Sequence, residues 1–107
     1  MDPIRQTIYE DRARVIKAMG HPSRLFIVQE LEHGERCVRD LQAKVGADIS
    51  TVSRHLAILR EAGIIVGRKQ GNQVFYSLQC PCVLGFFQCV ETVLRKNRGQ
   101  SIHELES

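Results

Sequence analysis

Residues 47–64 read ADISTVSRHLAILREAGI, and no other stretch restricts the possible folds of this chain as strongly. With Val45 just ahead of it, Ile49, Val52, Leu56 and Leu59 recur at intervals of four, three, four and three. That period buries one face of a helix against a core. Successive residues turn about 100° around a helix, so Ser50 and Arg54 point directly away from the buried face, with Thr51 close by. Gly63 stands where a left-handed C-terminal cap is wanted. The outer face is thus short polar side chains plus an arginine. Taken alone it reads as a solvated surface; its neighbours decide whether it reads anything else.

Upstream, Ile4, Ile8, Val15, Ile16 and Met19 form an apolar helical stripe among charged residues, stopped by Gly20-His21-Pro22-Ser23. Leu25, Ile27, Val28 and Leu31 mark a second short helix ended by His33-Gly34, and Val38, Leu41 and Val45 a third, with Cys37 just before it. Downstream, Ile64-Ile65-Val66 and Val74-Phe75-Tyr76 flank Arg68-Lys69-Gln70-Gly71-Asn72, which predicts a β-hairpin with a basic tip. Val83, Phe86, Phe87, Val90 and Leu94 mark a last helix, opened by Pro81 in its first turn. The expected division is one domain over residues 1–96 and a frayed tail over 97–107.

The order of elements is that of a mainly α winged helix-turn-helix, with about five helices and a small hairpin. A helix fits the major groove of B-form DNA, and short polar side chains with an arginine reach base edges. Ser50, Thr51 and Arg54 are the candidate readers, and Arg68 and Lys69 the candidate phosphate contacts. The formal net charge of +3 permits an anionic partner without requiring one. The N-terminus, MDPIRQTIYEDRARV, lacks the layout of a signal peptide, and no apolar run nears the ~20 residues that span a bilayer. The expected location is therefore cytoplasmic, without a membrane partner. Clustered cysteines there point to metal or redox chemistry rather than structural disulfides.

The runs HPSRLFIVQEL, ERCVRDLQAKVG and ISTVSRHLAILREAGIIVGRKQGNQVFYSL resemble the ArsR/SmtB repressors over about residues 13–94. The resemblance implies a homodimer paired through its first and last helices, holding an operator until an inducer, often arsenite or a metal ion, releases it. It adds Ser53 to the recognition helix and matches His55 to the family's histidine in the same motif; the wheel position of His55 puts it toward the packed side. It also assigns the surplus apolar residues Ile4, Ile8, Val15, Val83, Phe86, Phe87, Val90 and Leu94 to the dimer interface. A two-fold dimer favours an inverted-repeat operator on double-stranded DNA.

The cysteines are the candidate sensor. In a winged helix the residues before the first reader helix pair antiparallel with the second hairpin strand, here leading straight into Cys80. That topology predicts Cys37 close to Cys80 and Cys82, although about 43 residues lie between them in sequence. Three thiolates suit arsenite or another soft ion, and a helix start favours the thiolate form. No obligatory cofactor is expected. Arsenite and cadmium/lead sensors of the family commonly carry E-x-C-V-C-D-L; ERCVRDL keeps Cys37 but has Arg39 for the second cysteine. The stretch VLGFFQCVETVLRKN has no histidine for the family's zinc site, and Gln29 stands where its persulfide sensors place a cysteine. Cys89 lies seven residues past Cys82, about 10 Å along a helix, too far to share one ion, and is assigned to packing, with the dimer interface as an alternative place for it. Two alternatives stand beside the soft-ion reading: a redox switch closing Cys37 on Cys80 or Cys82, and a DNA-binding or dimerisation module without a sensor. A thiol enzyme lacks any nucleophile–base–orienter arrangement.

Overall fold

The structure, a computed structural model, describes residues 1–106, with side chains described through Gly99. Helix α1 (Pro3–Met19) starts where the Asp2 carboxylate accepts the Arg5 amide at 2.9 Å. Helix α2 (Pro22–Glu30) starts where the His21 ring accepts the Ser23 amide through Nδ1 at 3.0 Å. Both caps satisfy an amide that has no partner inside its helix, and both helices open on a proline. After a short turn of 3-10 helix comes strand β1 (Arg36–Cys37), which runs directly into α3 (Val38–Val45).

Gly46, at φ 79°, turns the chain out of α3 through a conformation that favours glycine. Asp48 then caps α4 (Ile49–Glu61), its carboxylate accepting the Thr51 amide at 2.7 Å. The apolar repeat that begins at Val45 therefore crosses a break between two helices. Ile49 stays 47% exposed instead of joining the buried face, which consists of Val52, His55, Leu56 and Leu59. Gly63 ends α4 at φ 78°, its amide and that of Ile64 bonded back to the carbonyls of Arg60 and Leu59 at 3.0 Å each.

Strands β2 (Ile65–Gln70) and β3 (Gln73–Leu78) form the hairpin about Gly71-Asn72, and the three strands lie in the order β1-β3-β2, all antiparallel. Under this sheet, Ile27, Val28, Leu41, Val52, Leu56, Leu59 and Ile65 are sealed from solvent and join α2, α3, α4 and β2 into one core. Helix α1 contributes only Ala18 and Met19 to it.

The last helix, α5 (Val83–Glu106), departs from expectation at both ends. It begins at Val83, because Cys80 and Cys82 are joined by a disulfide. Side chains two apart point to opposite sides of a helix, so a bridge between them holds residues 80–82 in a turn. At the far end the helix runs on through residues 97–106, where a tail was expected. Arginine, glutamine, leucine and glutamate there are good helix formers and outweigh the lone Gly99.

Helix α4 is clasped to the other helices through His55, which is 8% exposed. Arg24 approaches His55 Nδ1 with Nη1 at 3.2 Å, and its Nε donates to the Ala18 carbonyl at the end of α1. A guanidinium only donates, so Nδ1 must be the acceptor and the ring is neutral. The His21 ring lies 4.6 Å away, centroid to centroid. Burial first, then the charges of His21, Arg24 and Arg54, hold the His55 pKa below its ordinary value. Since the unfolded chain binds the proton more readily, this contribution is complete above about pH 6.5 and is lost as pH falls through the depressed folded value. Thermal unfolding followed between pH 7.5 and 5.5 should show the midpoint falling on acidification, with a smaller fall in His55→Asn. An equal fall in both proteins would remove His55 as its source.

Candidate nucleic-acid interface and cysteine site

Because Val52, His55, Leu56 and Leu59 point inward, α4 turns Ser50, Ser53 and Arg54 to solvent, while Thr51 is half-buried and its amide is spent on Asp48. That bond, more than any other influence, holds the Asp48 carboxyl below the usual carboxylate range. Beside the reader face stands the hairpin, with Lys69 exposed near its tip.

Arg68 is placed differently from expectation. Its Nε and Nη2 donate to the two oxygens of Glu35 at 3.1 and 3.0 Å, and Nη1 donates to Gln70 Oε1 at 2.8 Å. The guanidinium also lies 5.3 Å from the centre of the Phe75 ring. The Glu35 carboxyl is held low by the hydrogen bonds from Arg68. Arg68 thus braces β2 against the approach to β1, and Lys69 is the wing cation that makes no ion pair among the described residues. Sequence reasoning missed this because Glu35 lies in a turn 33 residues away.

Between α4 and the hairpin opens a cleft of about 270 Å³, lined by Arg39, Ile49, Ser53, Asn72 and Gln73, with Cys37 in its floor. Arg39 and Asn72 line this cleft without having been among the candidates named from the sequence. The signal for Arg39 was present, since it is a cation one position inside the first reader helix.

The predicted three-thiol set is not assembled in the chain. Strand pairing of β1 with β3 is as the topology required, but its register sets Cys37 opposite Phe75 and Arg36 opposite Tyr76. Cys80 is five residues beyond Phe75, on the order of 16 Å at strand spacing. Cys37 is the last residue of a two-residue strand, so it sits at the end remote from Cys80. Among the described residues no group of three histidine, cysteine or acidic side chains is placed to hold a metal ion. Cys80 and Cys82 are bonded to each other, Cys37 is a buried free thiol, and Cys89 is a free thiol exposed on α5, so the single chain supplies no packing for it.

The apolar surplus divides in two. Val83 and Phe87 are half-buried against the chain's own core, with Leu84 between them. Ile4, Ile8 and Val15 on α1, and Phe86, Val90 and Leu94 on α5, remain exposed, joined by Tyr9, Ile16 and Val93. Two helices with uncovered apolar faces are what a second copy would cover.

The profile described as "Bacterial regulatory protein, arsR family" matches residues 21–66, from the cap of α2 into β2. The uncharacterised HTH-type transcriptional regulator MJ1325 of Methanocaldococcus jannaschii is 42% identical over 69 residues, covering 64% of this chain and 78% of that protein. The crystal structure of Rv0081 from Mycobacterium tuberculosis superposes with a TM-score of 0.80 at 28% identity, covering 95% of this chain and 99% of that one. The solution structure of the homodimeric winged helix-turn-helix DNA-binding domain Mb0332 from Mycobacterium bovis, a possible ArsR-family regulator, gives 0.77 at 27% identity over 90% and 89% of the two chains.

Proposed function

Since this chain belongs to the arsR family of bacterial regulatory proteins, we propose that it is a homodimeric repressor that holds an inverted-repeat operator and releases it on a thiol-directed signal. The observation that carries the reading is the two-sided α4. Its inner face is locked into the core, and Ser50, Ser53 and Arg54 face outward beside a wing bearing Lys69. A helix held this rigidly presents its outer side chains to a major groove at little entropic cost. Two-fold pairing through α1 and α5 sets two such helices about 34 Å apart, one turn of B-form DNA.

The signal enters at Cys80 and Cys82, which meet at the joint between wing and last helix. In reduced form they are two neighbouring thiols, and arsenite or another thiophilic ion belongs to the class of inducer they would take. Cys37 stands apart from them and supplies no third donor within the chain.

Reduced protein is expected to select an inverted repeat from a random DNA pool and to bind it with a steep salt dependence. Arg54→Ala should weaken that binding by about 1–3 kcal/mol if Arg54 reads a base edge, with thermal stability unchanged. Arsenite added to reduced protein should weaken binding, and Cys80→Ser should remove the response while Cys37→Ser keeps it. Binding without sequence preference would overturn the repressor reading. An arsenite response carried by Cys37 alone would overturn the assignment of the signal.

A further inference from the structure

We infer that Cys80 and Cys82 form a self-contained dithiol–disulfide couple whose closing moves the start of α5. The inference rests on the repressor reading only for its effect on DNA; the structural change stands without it.

The bond itself decides the local conformation. Residues two apart stand about 200° apart around a helix, so their side chains cannot be bridged while both are helical. With Cys80 and Cys82 joined, residues 80–82 form a turn and the helix waits until Val83. The amides of Leu84 and Gly85 then bond three residues back, to Pro81 at 3.1 Å and Cys82 at 3.0 Å. With the bond opened, Cys80 and Pro81 are free to join the first helical turn, where proline is tolerated. The same two amides would each shift one carbonyl back, to Cys80 and Pro81, closing ordinary helical turns. Sequence alone predicts that second state, and the structure shows the first.

The joint has no slack to hide the change. On one side the Gln79 amide is tied to the Ile64 carbonyl at 3.0 Å, fixing the end of the wing. On the other, Val83, Leu84 and Phe87 pack against the core. A switch between turn and helix alters the length of chain between these anchors, since helix rises only about 1.5 Å per residue. The displacement passes into α5, which carries the exposed Phe86 and Val90. Cys80 and Cys82 are both exposed, so reagents reach them without unfolding.

Closing is a two-electron oxidation. One thiolate attacks a hydroperoxide oxygen, giving a sulfenic acid and releasing the first water or alcohol; the second thiolate attacks that sulfur and expels water. Opening consumes two equivalents of a low-molecular-weight thiol, which leaves as its own disulfide. Cys37 takes no part. Because the bonded pair has no free thiol, the closed form does not capture a thiophilic ion, so the oxidant and ion inputs are mutually exclusive.

The test uses full-length Cys89→Ser protein, reduced or treated with hydrogen peroxide. Oxidised protein should lose two hydrogens in mass and two alkylatable thiols. Amide exchange at Leu84 and Gly85 should differ between the two forms, and the reduced form should bind operator at least about fivefold more tightly, the lower range of allosteric coupling. Cys80→Ser and Cys82→Ser should each remove all of these differences. Loss of two thiols with unchanged amide exchange overturns the device. So does an oxidant effect that survives in both serine variants. If neither form binds an inverted repeat but exchange at Leu84 and Gly85 still differs, the repressor reading fails and the couple stands.

Discussion

Val90→Glu should give a folded, monomeric protein whose operator affinity is lower by a factor of a hundred or more. Val90 is 42% exposed on α5, on the face that also carries Phe86 and Val93. Among the described residues that face is covered only in part, by Leu25 and Phe26 of α2 across a groove, so a glutamate there leaves the monomer core intact. In a two-fold dimer it would bury one carboxylate from each copy in an apolar contact, a cost of several kcal/mol for each unpaired charge. Once the dimer separates, each reading head binds its half-site alone. Losing the second, intramolecular contact removes a factor of roughly 10²–10⁴ in avidity. Sedimentation and fluorescence anisotropy on one sample check both halves of this result. A variant that stays dimeric with undiminished affinity would place the pairing surface elsewhere.

Leu59→Ala should destabilise the fold by about 3 kcal/mol, within the ~2–5 kcal/mol range for deleting a large buried aliphatic side chain. Leu59 is 0% exposed, on the inner face of α4 with Val52, His55 and Leu56. Truncation removes apolar burial and leaves a cavity where α4 meets the core. A domain of this size has roughly 5–15 kcal/mol in total, so the loss is a large share and should lower the midpoint by on the order of 15 °C. Ser50→Ala on the outer face of the same helix should stay within about 0.5 kcal/mol. The contrast measures how firmly one side of the reader is held while the other is left free. A loss below about 1 kcal/mol at Leu59 would mean that α4 is not anchored through this face.

Much of the architecture was legible because it is written locally. The stripe through Val52, Leu56 and Leu59 and the Gly71-Asn72 turn depend on neighbours a few residues away. The same holds for Gly63 as a helix stop. Ser50 and Arg54 followed from the wheel, because whatever points away from a buried stripe is outside. Ile49 did not follow, since the repeat runs unbroken through Gly46 and Asp48 although the helix does not. Nor could the wheel separate Val83 and Phe87, which face the chain's own core, from Phe86 and Val90, which face outward on the same helix.

The sequence by itself determined the order of elements, the two-sided reading helix, the hairpin beside it and the antiparallel pairing of β1 with β3. Tertiary structure alone decided the rest. It set the register that puts Cys37 opposite Phe75 instead of beside Cys80, and the ion pair that ties Arg68 to Glu35. It also decided the bond between Cys80 and Cys82 that delays α5 to Val83. The physical reason is one of range. Helical and strand periods are properties of adjacent dihedral angles, whereas a register or a covalent closure depends on which distant or flexible groups finally meet. A slip of a few residues in a two-residue strand leaves the sequence pattern unchanged and moves a thiol by more than 10 Å, at about 3.3 Å per residue.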